Sequence, residues 1–383
     1  MALISISHIT SGFIAVLVGF TSSFAIVFQA ATTAGADAAQ ISSWLWALGI
    51  GMGLSSIGFS LFYRVPILTA WSTPGAALLV TALDGYTMAQ AIGVFIFSSA
   101  LLVLTGVTGV FSRLMRHIPP ALAAAMLAGV LVQFGLQLFG YLETDLLLVG
   151  SMLILFVLLR RIFPLYAIPL TLLLAVALTL IQGRLSLEHL ELQFSTPVWT
   201  TPSFSWQAML GVGIPLYIVS LTSQNIPGLA VLNANGFRPA AGPIIGGTGF
   251  LGVVLAPFGG FSYNLAAITA AICMGAEAGA DPKQRYWAAV WAGIFYLLTG
   301  LFGATVVSLF VAFPVALVTS IAGLALLGTI SQSLASGLKE DESREAALMT
   351  FLMTASGVSL FGIASAFWGL LLGLAVYYWV KRS

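Results

Sequence analysis

Apolar residues run through this chain in long blocks, and polar positions collect between them. A spanning helix needs about 20 apolar residues, fewer if it is a half-helix packed within protein. The pattern predicts fourteen segments: Phe13–Thr33, Ile41–Phe62, Pro66–Leu83, Met88–Phe111, Pro120–Leu138, Leu146–Arg160, Pro164–Gln182, Trp206–Asn233, Pro239–Leu255, Ala256–Gly275, Arg285–Leu309, Phe313–Leu334, Glu345–Phe361 and Ile363–Val380. A polar stretch, Gly183–Ser205, separates the seventh from the eighth and carries Glu188, His189 and Glu191. Two segments break the pattern. In the third, Pro66–Val80 reads PILTAWSTPGAALLV: it starts like a short strand, turns at Thr73-Pro74-Gly75 and ends like a half-helix. The tenth, APFGGFSYNLAAITAAICMG, has the same character. Non-helical backbone at membrane depth is tolerated only where protein buries it or where it lines a cavity. The two broken stretches are therefore expected to meet and to hold a ligand.

Composition agrees. Of 383 residues, 60% are hydrophobic and 7% charged, against about 25% charged in ordinary soluble domains. The fold class is an all-α polytopic membrane protein. The net charge of +1 says nothing of partners, and no basic run points to nucleic acid, so no nucleic-acid partner is expected. The single cysteine, Cys273, excludes an internal disulfide and reads as a small core residue. Met1–Ser11 has no basic n-region, so no cleaved signal peptide is expected.

Charge placement tests the count. Lys and Arg concentrate in cytoplasmic loops. With the N-terminus inside, the inner loops receive Arg64, Arg113, Arg116, Arg160, Arg161, Arg238, Lys283, Arg285, Lys339, Arg344, Lys381 and Arg382. Of the 13 basic residues only Arg184 falls outside. Dropping one segment would scramble this pattern, so fourteen crossings with both termini cytoplasmic are expected.

The chain also repeats. Leu104-Thr105-Gly106, Gly109, Pro120 and Ala128-Gly129 recur 194 residues later as Leu298-Thr299-Gly300, Gly303, Pro314 and Ala322-Gly323. More loosely, Thr21-Ser22 matches Thr222-Ser223, Gly35 matches Gly236, and Pro66 matches Pro257. Seven crossings per half is odd, so the halves insert in opposite senses. That is the inverted repeat of many secondary transporters, with residues 1–195 as the first unit and 196–383 as the second.

Candidate chemistry follows from the breaks. Pro74 suits a first helical turn, and Ser72 and Thr73 hold the cap position. Free N–H groups at a helix start attract an anion or a carbonyl oxygen. Trp71 offers a flat apolar face. The competing reading of this stretch is a Pro-kinked helix without ligand. In the tenth segment Tyr263 and Asn264 can hydrogen-bond a ligand, and Phe258 and Phe261 can pack on one. Gln224 and Asn225 are the most polar side chains at mid-depth in any long segment; glue between helices is their alternative role. Ser22 and Phe24 hold the equivalent place in the first segment. Gly49, Gly51, Gly53, Gly246, Gly247, Gly249 and Gly252 read as close helix packing.

No Asp, Glu, Lys or Arg falls in the middle of a predicted crossing, so no proton relay of the usual kind is visible. His8, His117 and His189 fall at the surfaces. The chain lacks GxxxxGK[ST], HExxH and any Cys/His ligand cluster, which argues against ATP use, a resident metal or cofactor, and enzymatic chemistry.

Arg64–Val80 (RVPILTAWSTPGAALLV), Thr222–Pro227 (TSQNIP), Ala267–Cys273 (AITAAIC) and Ala364–Leu371 (ASAFWGLL) together resemble the benzoate–proton symporter family of bacterial inner membranes. The resemblance covers essentially the whole chain. It implies kinship in fold with nucleobase–cation symporters and sulfate-type anion transporters: fourteen segments in two inverted sevens, a core domain (12–111 and 206–309) and a gate domain (119–183 and 313–380), and elevator-like movement of one past the other. The nucleobase carriers grip their ligands with acidic side chains in the eighth and tenth segments. Here Gln224 stands at or near the first place, and Phe261-Ser262-Tyr263 at the second. Losing carboxylates while keeping two positive helix ends suits an anionic ligand. The expected function is import of benzoate or a similar aromatic carboxylate with protons, at Trp71, Ser72, Thr73, Gln224, Asn225, Phe258, Phe261, Tyr263, Asn264, Ser22 and Phe24. The expected partners are that carboxylate, the proton and the lipid bilayer, with a homodimer allowed. A passive channel for small anions and a nucleobase–proton symporter are the alternatives.

Overall fold

The computed structural model describes residues 5–109, 119–185, 192–361 and 363–380. Arg113, Arg116, His117, Glu188, His189, Glu191, Lys381 and Arg382 lie outside the described residues, as does the side chain of Ser22.

Helices dominate because nearly every block is apolar and membrane-length. The first half contains α1 (Ile6–Thr33), α2 (Ala38–Tyr63), β1 (Thr69–Trp71), α3 (Thr73–Ala82), α4 (Met88–Thr108), α5 (Pro120–Thr144), α6 (Leu146–Ile162) and α7 (Ala167–Ile181). The second contains α8 (Trp206–Ala234), α9 (Ala241–Leu255), β2 (Tyr263–Leu265), α10 (Ile268–Met274), α11 (Tyr286–Leu301), α12 (Gly303–Ala312), α13 (Val315–Gly337), α14 (Asp341–Ala355) and α15 (Ser365–Val380). Among the described residues, six helices are long and apolar enough to cross a membrane alone, or eight when two bent pairs are each taken as one span.

Local chemistry sets the helix starts. Asp37 accepts the Gln40 N–H at 2.8 Å while Gln40 accepts the Asp37 N–H at 3.0 Å, a reciprocal cap. Thr87 and Gln90 repeat the device at α4. Pro120 opens α5 at a position where no N–H is needed.

Several expected segments shift. The first helix begins at Ile6 rather than Phe13 and bends by 44° between Thr21 and Ser23. The eleventh predicted segment is two helices: the chain turns by 63° at Phe302, between α11 and α12. The thirteenth starts at Asp341, because Asp341 and Glu342 favour a first helical turn whatever their hydropathy.

Both broken stretches take the expected strand-then-helix form, and they pair. β1 and β2 run antiparallel, with Thr69 opposite Leu265, Ala70 opposite Asn264 and Trp71 opposite Tyr263. The ladder extends by one bond at each end: Ser72 N–H to Ser262 O at 3.1 Å and Ala266 N–H to Leu68 O at 2.9 Å. Two three-residue strands cannot stand alone in lipid; here each satisfies the other's backbone inside protein.

Helices α2 and α9 pack on the strands, and glycine contacts join α2 to α11 and α4 to α9, as the small-residue pattern predicts. A methyl on Gly49 of α2 would sit 2.5 Å from the Gly300 Cα of α11. One on Gly106 of α4 would sit 2.4 Å from the Gly246 Cα of α9. Helix α5 packs on α13 and α14, and α14 on α15. Helices α6 and α7 expose Ile154, Val157, Leu158, Leu173 and Ile181, an apolar surface suited to lipid.

Candidate functional site

The strand pair fixes where two half-helices begin. At the α3 start, Ser72 is fully buried and its Oγ accepts the Gly75 N–H at 2.9 Å. Ala76 donates to the Ser72 carbonyl at 2.7 Å, and Pro74 has no N–H. Ser72 thus caps its own helix, and the expectation of a Ser72–Thr73 ligand pair narrows to Thr73. That residue is half-buried. Neither its N–H nor its hydroxyl is hydrogen-bonded among the described residues. Helix α10, on the other arm, is only seven residues long.

Helix α8 passes beside the strands and contains two π turns, Met209–Gly213 and Leu221–Asn225. Each ends just before an Ile-Pro pair, at Pro215 and Pro227. The missing proline N–H leaves the carbonyls of Gly211 and Ser223 without their usual partner, which favours local rewinding. Turns of this kind recur at functional sites. In the second turn Asn225 is buried, and its Nδ2 donates to Asn264 Oδ1 at 2.7 Å and to Ser220 O at 3.1 Å. Its Oδ1 accepts the Leu265 N–H at 3.2 Å. Asn264 donates to Ser262 O at 2.6 Å and to Ser262 Oγ at 3.0 Å, and the Ser220 and Ser262 hydroxyls bond each other. Asn225 and Asn264 are both buried and clamp β2 onto α8. Gln224, one residue earlier, is half-buried and makes no side-chain hydrogen bond among the described residues.

The aromatic residues divide into two groups. Trp71 is 4% exposed. Its indole N–H donates to Ser23 Oγ at 2.9 Å, and Ser23 donates to Gly19 O at 2.6 Å. The ring meets the edge of Phe20, with centroids 5.1 Å apart. Phe20 stacks on Phe24 at 5.4 Å, and Phe24 packs against Phe310 of α12 at 4.5 Å. Phe20 escaped the sequence reading. Its signal was the spacing of Phe20, Phe24 and Phe28, one helix face at intervals of four.

Phe258, Phe261 and Tyr263 were expected to join this wall, but they pack elsewhere. Phe261 is fully buried against Trp44 and Phe95, at 5.7 and 5.5 Å. Tyr263 donates to Ala47 O at 2.7 Å and presses its ring on Gly51. Phe258 sits between Trp46 and Trp199. The cause is the turn Ala256–Phe258 and Gly259, whose φ of +94° carries the chain back under Trp44. These three rings anchor the second broken stretch to α2 and α4.

Trp71 and Thr73 thus flank Ser72 at the end of β1, with Phe20 between Trp71 and Phe24, and Gln224 stands in the π turn whose next residue clamps β2. Ser72, Asn225 and Asn264 are taken up by the scaffold. A cleft of about 390 Å³ opens beyond the C-terminal end of α3. Thr81, Asp84 and Tyr86 line one side, Gln133 of α5 and Thr354 and Ser365 the other. Among the described residues no group of three His, Cys, Asp or Glu could hold a metal ion.

Comparison with known proteins gives the family and the fold. Over 98% of its length the chain is 39% identical to a benzoate membrane transport protein of Acinetobacter baylyi, covering 95% of it. It is 50% identical over 96% of its length to the inner membrane protein YdcO of Escherichia coli, covering 94% of that chain. Solved structures with the same fold include SLC26A9, with a TM-score of 0.67 and 13% identity over 97% of this chain, which spans 65% of that longer protein. Another is the transmembrane domain of the cyanobacterial bicarbonate transporter BicA, with a TM-score of 0.62 and 14% identity over 99% of this chain and 97% of that one. The likeness to these two is one of fold. The family model for benzoate membrane transport proteins matches residues 2–379. This multi-pass membrane protein, a transporter and not an enzyme, belongs to the benzoate membrane transport protein family.

Proposed function

We propose that this protein imports benzoate or a similar aromatic carboxylate together with protons across a bacterial inner membrane, with both termini cytoplasmic. The observation that carries the reading is the junction itself. Thr73, at the start of the half-helix after β1, and Gln224, in the π turn that is clamped to β2, have polar groups without a partner among the described residues, and Trp71 of β1 packs on Phe20. A carboxyl group suits the first two and an aromatic ring suits the third.

An elevator is the proposed motion: a core of residues 12–111 and 206–309 slides past a gate of 119–183 and 313–380. Packing supports the inverted repeat behind it. Helix α2 pairs with α11 and α4 with α9; α1 meets α10 and α3 meets α8. Exchanging the two sevens converts each of these pairs into its counterpart. Sidedness is supported by the chemistry of Arg184, the sole basic residue assigned outside, whose guanidinium is held by Asp145 at 2.5 Å.

Uptake of labelled benzoate by sealed proteoliposomes tests the reading. Uptake should saturate, should be inhibited by unlabelled benzoate, and should rise with an inward proton gradient above protein-free vesicles. Saturable uptake indifferent to the gradient would instead identify a passive facilitator. Competition by uracil stronger than by benzoate would identify a nucleobase carrier.

A further inference from the structure

We infer that the transported proton rides on the substrate: the site between Thr73 and Gln224 takes the undissociated aromatic carboxylic acid, and no protein side chain carries the proton. This rests on the proposed substrate class and site.

The first ground is the surroundings. Among the described residues, β1, α3, β2, α8 and α10 contain no Asp, Glu, His, Lys or Arg, and neither do α2, α4, α9 and α11 packed around them. Helices α12, α13 and α15 contain none either. Helix α1 has only His8, in its first turn, where its Nδ1 accepts the Ser5 N–H at 3.2 Å. Helix α5 has only Glu143, one residue from its end. The charges of α14, Asp341, Glu342, Arg344 and Glu345, all lie in its first two turns. At the ends of these elements stand Asp84, which lines the cleft past α3, and Arg285, whose guanidinium donates to Met274 O and Gly279 O. Deeper in the core the titratable groups include Tyr217, Tyr263, Tyr296 and Cys273. Phenols and thiols of ordinary reactivity are neutral near pH 7. The Tyr217 hydroxyl is taken by Thr105 and that of Tyr263 by Ala47 O.

The second ground is the cost of charge. An ionised carboxylate taken from water into protein without a cation suffers a desolvation penalty of several kcal/mol, and such a group neutralises instead. On the α3 arm the backbone gives little relief, because Pro74 and the Ser72 cap leave Thr73 N–H as the one free donor among the first three residues of α3.

The third ground is complementarity. Gln224 has an amide carbonyl as well as an NH2 group, and Thr73 has a hydroxyl that both donates and accepts. A carboxylate accepts only, so it uses the Gln224 NH2 group and leaves the carbonyl without a donor. An undissociated acid donates its O–H to that carbonyl and accepts from the amide. On the outer side a proton from water and the carboxylate form an O–H bond. On the inner side that bond breaks, the proton returns to water and the carboxylate leaves. One proton crosses with each substrate.

Binding to the purified full chain, followed by calorimetry together with proton uptake in weak buffer, separates a substrate-held from a protein-held proton. Binding of benzoate should take up one proton. Its apparent Kd should rise about tenfold per pH unit from about pH 6 to about pH 8 without levelling off, because the binding-competent fraction falls tenfold per unit. Benzamide, uncharged and with both a donor and an acceptor, should bind without proton uptake, and benzenesulfonate, ionised throughout, should not bind. Benzenesulfonate binding as tightly as benzoate would overturn the inference, as would proton uptake with benzamide or a Kd that levels off with pH. Each of those results leaves aromatic-acid transport standing. Failure of benzoate to bind at any pH would overturn the transport reading and the inference with it.

Discussion

Asn225 of α8 donates its side-chain amide to the Asn264 side chain of β2 at 2.7 Å, and both residues are fully buried. Through this contact one long helix and one short strand share a single polar joint. Asn225→Leu strands the Asn264 carbonyl and the Leu265 N–H in an apolar interior. Leaving a buried group unpaired costs about 1–3 kcal/mol. The expected outcome is a lower unfolding temperature in detergent, with the same loss for Asn264→Leu and little further loss in the double variant, since both remove one joint.

Ser72 and Thr73 are neighbours with opposite roles, and two substitutions separate them. Ser72→Ala removes a helix cap, worth about 1 kcal/mol, so it should lower thermal stability. Thr73→Val keeps the shape and removes a hydroxyl that no described residue uses. It should leave the unfolding temperature nearly unchanged and weaken benzoate binding by about tenfold, the equivalent of one ligand hydrogen bond. Paired melting and binding curves on the two variants check this.

Gln224→Met should act like Thr73→Val. The thioether fills the same space without an amide, and the side chain has no hydrogen bond to lose within the described protein. A drop in affinity of about tenfold with unchanged stability is expected from the same measurements.

Phe20→Ala removes the ring that meets Trp71 at 5.1 Å and stacks on Phe24 at 5.4 Å. Aromatic pairs are worth about 0.5–1.5 kcal/mol beyond area burial. Affinity for benzoate should fall, and affinity for an aliphatic acid such as acetate should change little. A competition series across acids of decreasing ring character reads the difference.

Gly259 has a φ of +94°, and a methyl there would sit 1.8 Å from Trp44. Gly259→Ala meets both backbone strain and a rigid indole. Loss of the monodisperse folded protein in size-exclusion chromatography is expected, with partial rescue by Trp44→Leu.

Much of this arrangement was written in the sequence in forms that hydropathy and turn chemistry expose. Pro66, Pro74, Pro257 and Gly259 mark where helices cannot continue, so the two broken stretches were legible as strand plus half-helix. That the two stretches meet was legible too; that they pair as antiparallel strands was not. Side-chain direction was not legible. Polar residues in a break point either toward a ligand or into the scaffold, and Asn225 and Gln224 are adjacent letters with opposite fates. A π turn decides between them, and its register depends on prolines whose effect is felt four residues upstream. The aromatic residues of the second break were misplaced for a related reason. Two residues with positive φ, Gly259 and Ser262, set the directions of Phe261 and Tyr263, and the order of residues alone does not tell which way such a turn faces. The bend at Phe302 was invisible because Leu298–Leu309 is apolar on both sides of it.

A structure of the protein with benzoate bound tests the central claim most directly. The account predicts the carboxyl group within hydrogen-bonding distance of Thr73 and Gln224, with the ring against Phe20 and Trp71. Benzoate resting only in the cleft lined by Thr81, Gln133 and Ser365, with the Thr73–Gln224 junction empty, would contradict it.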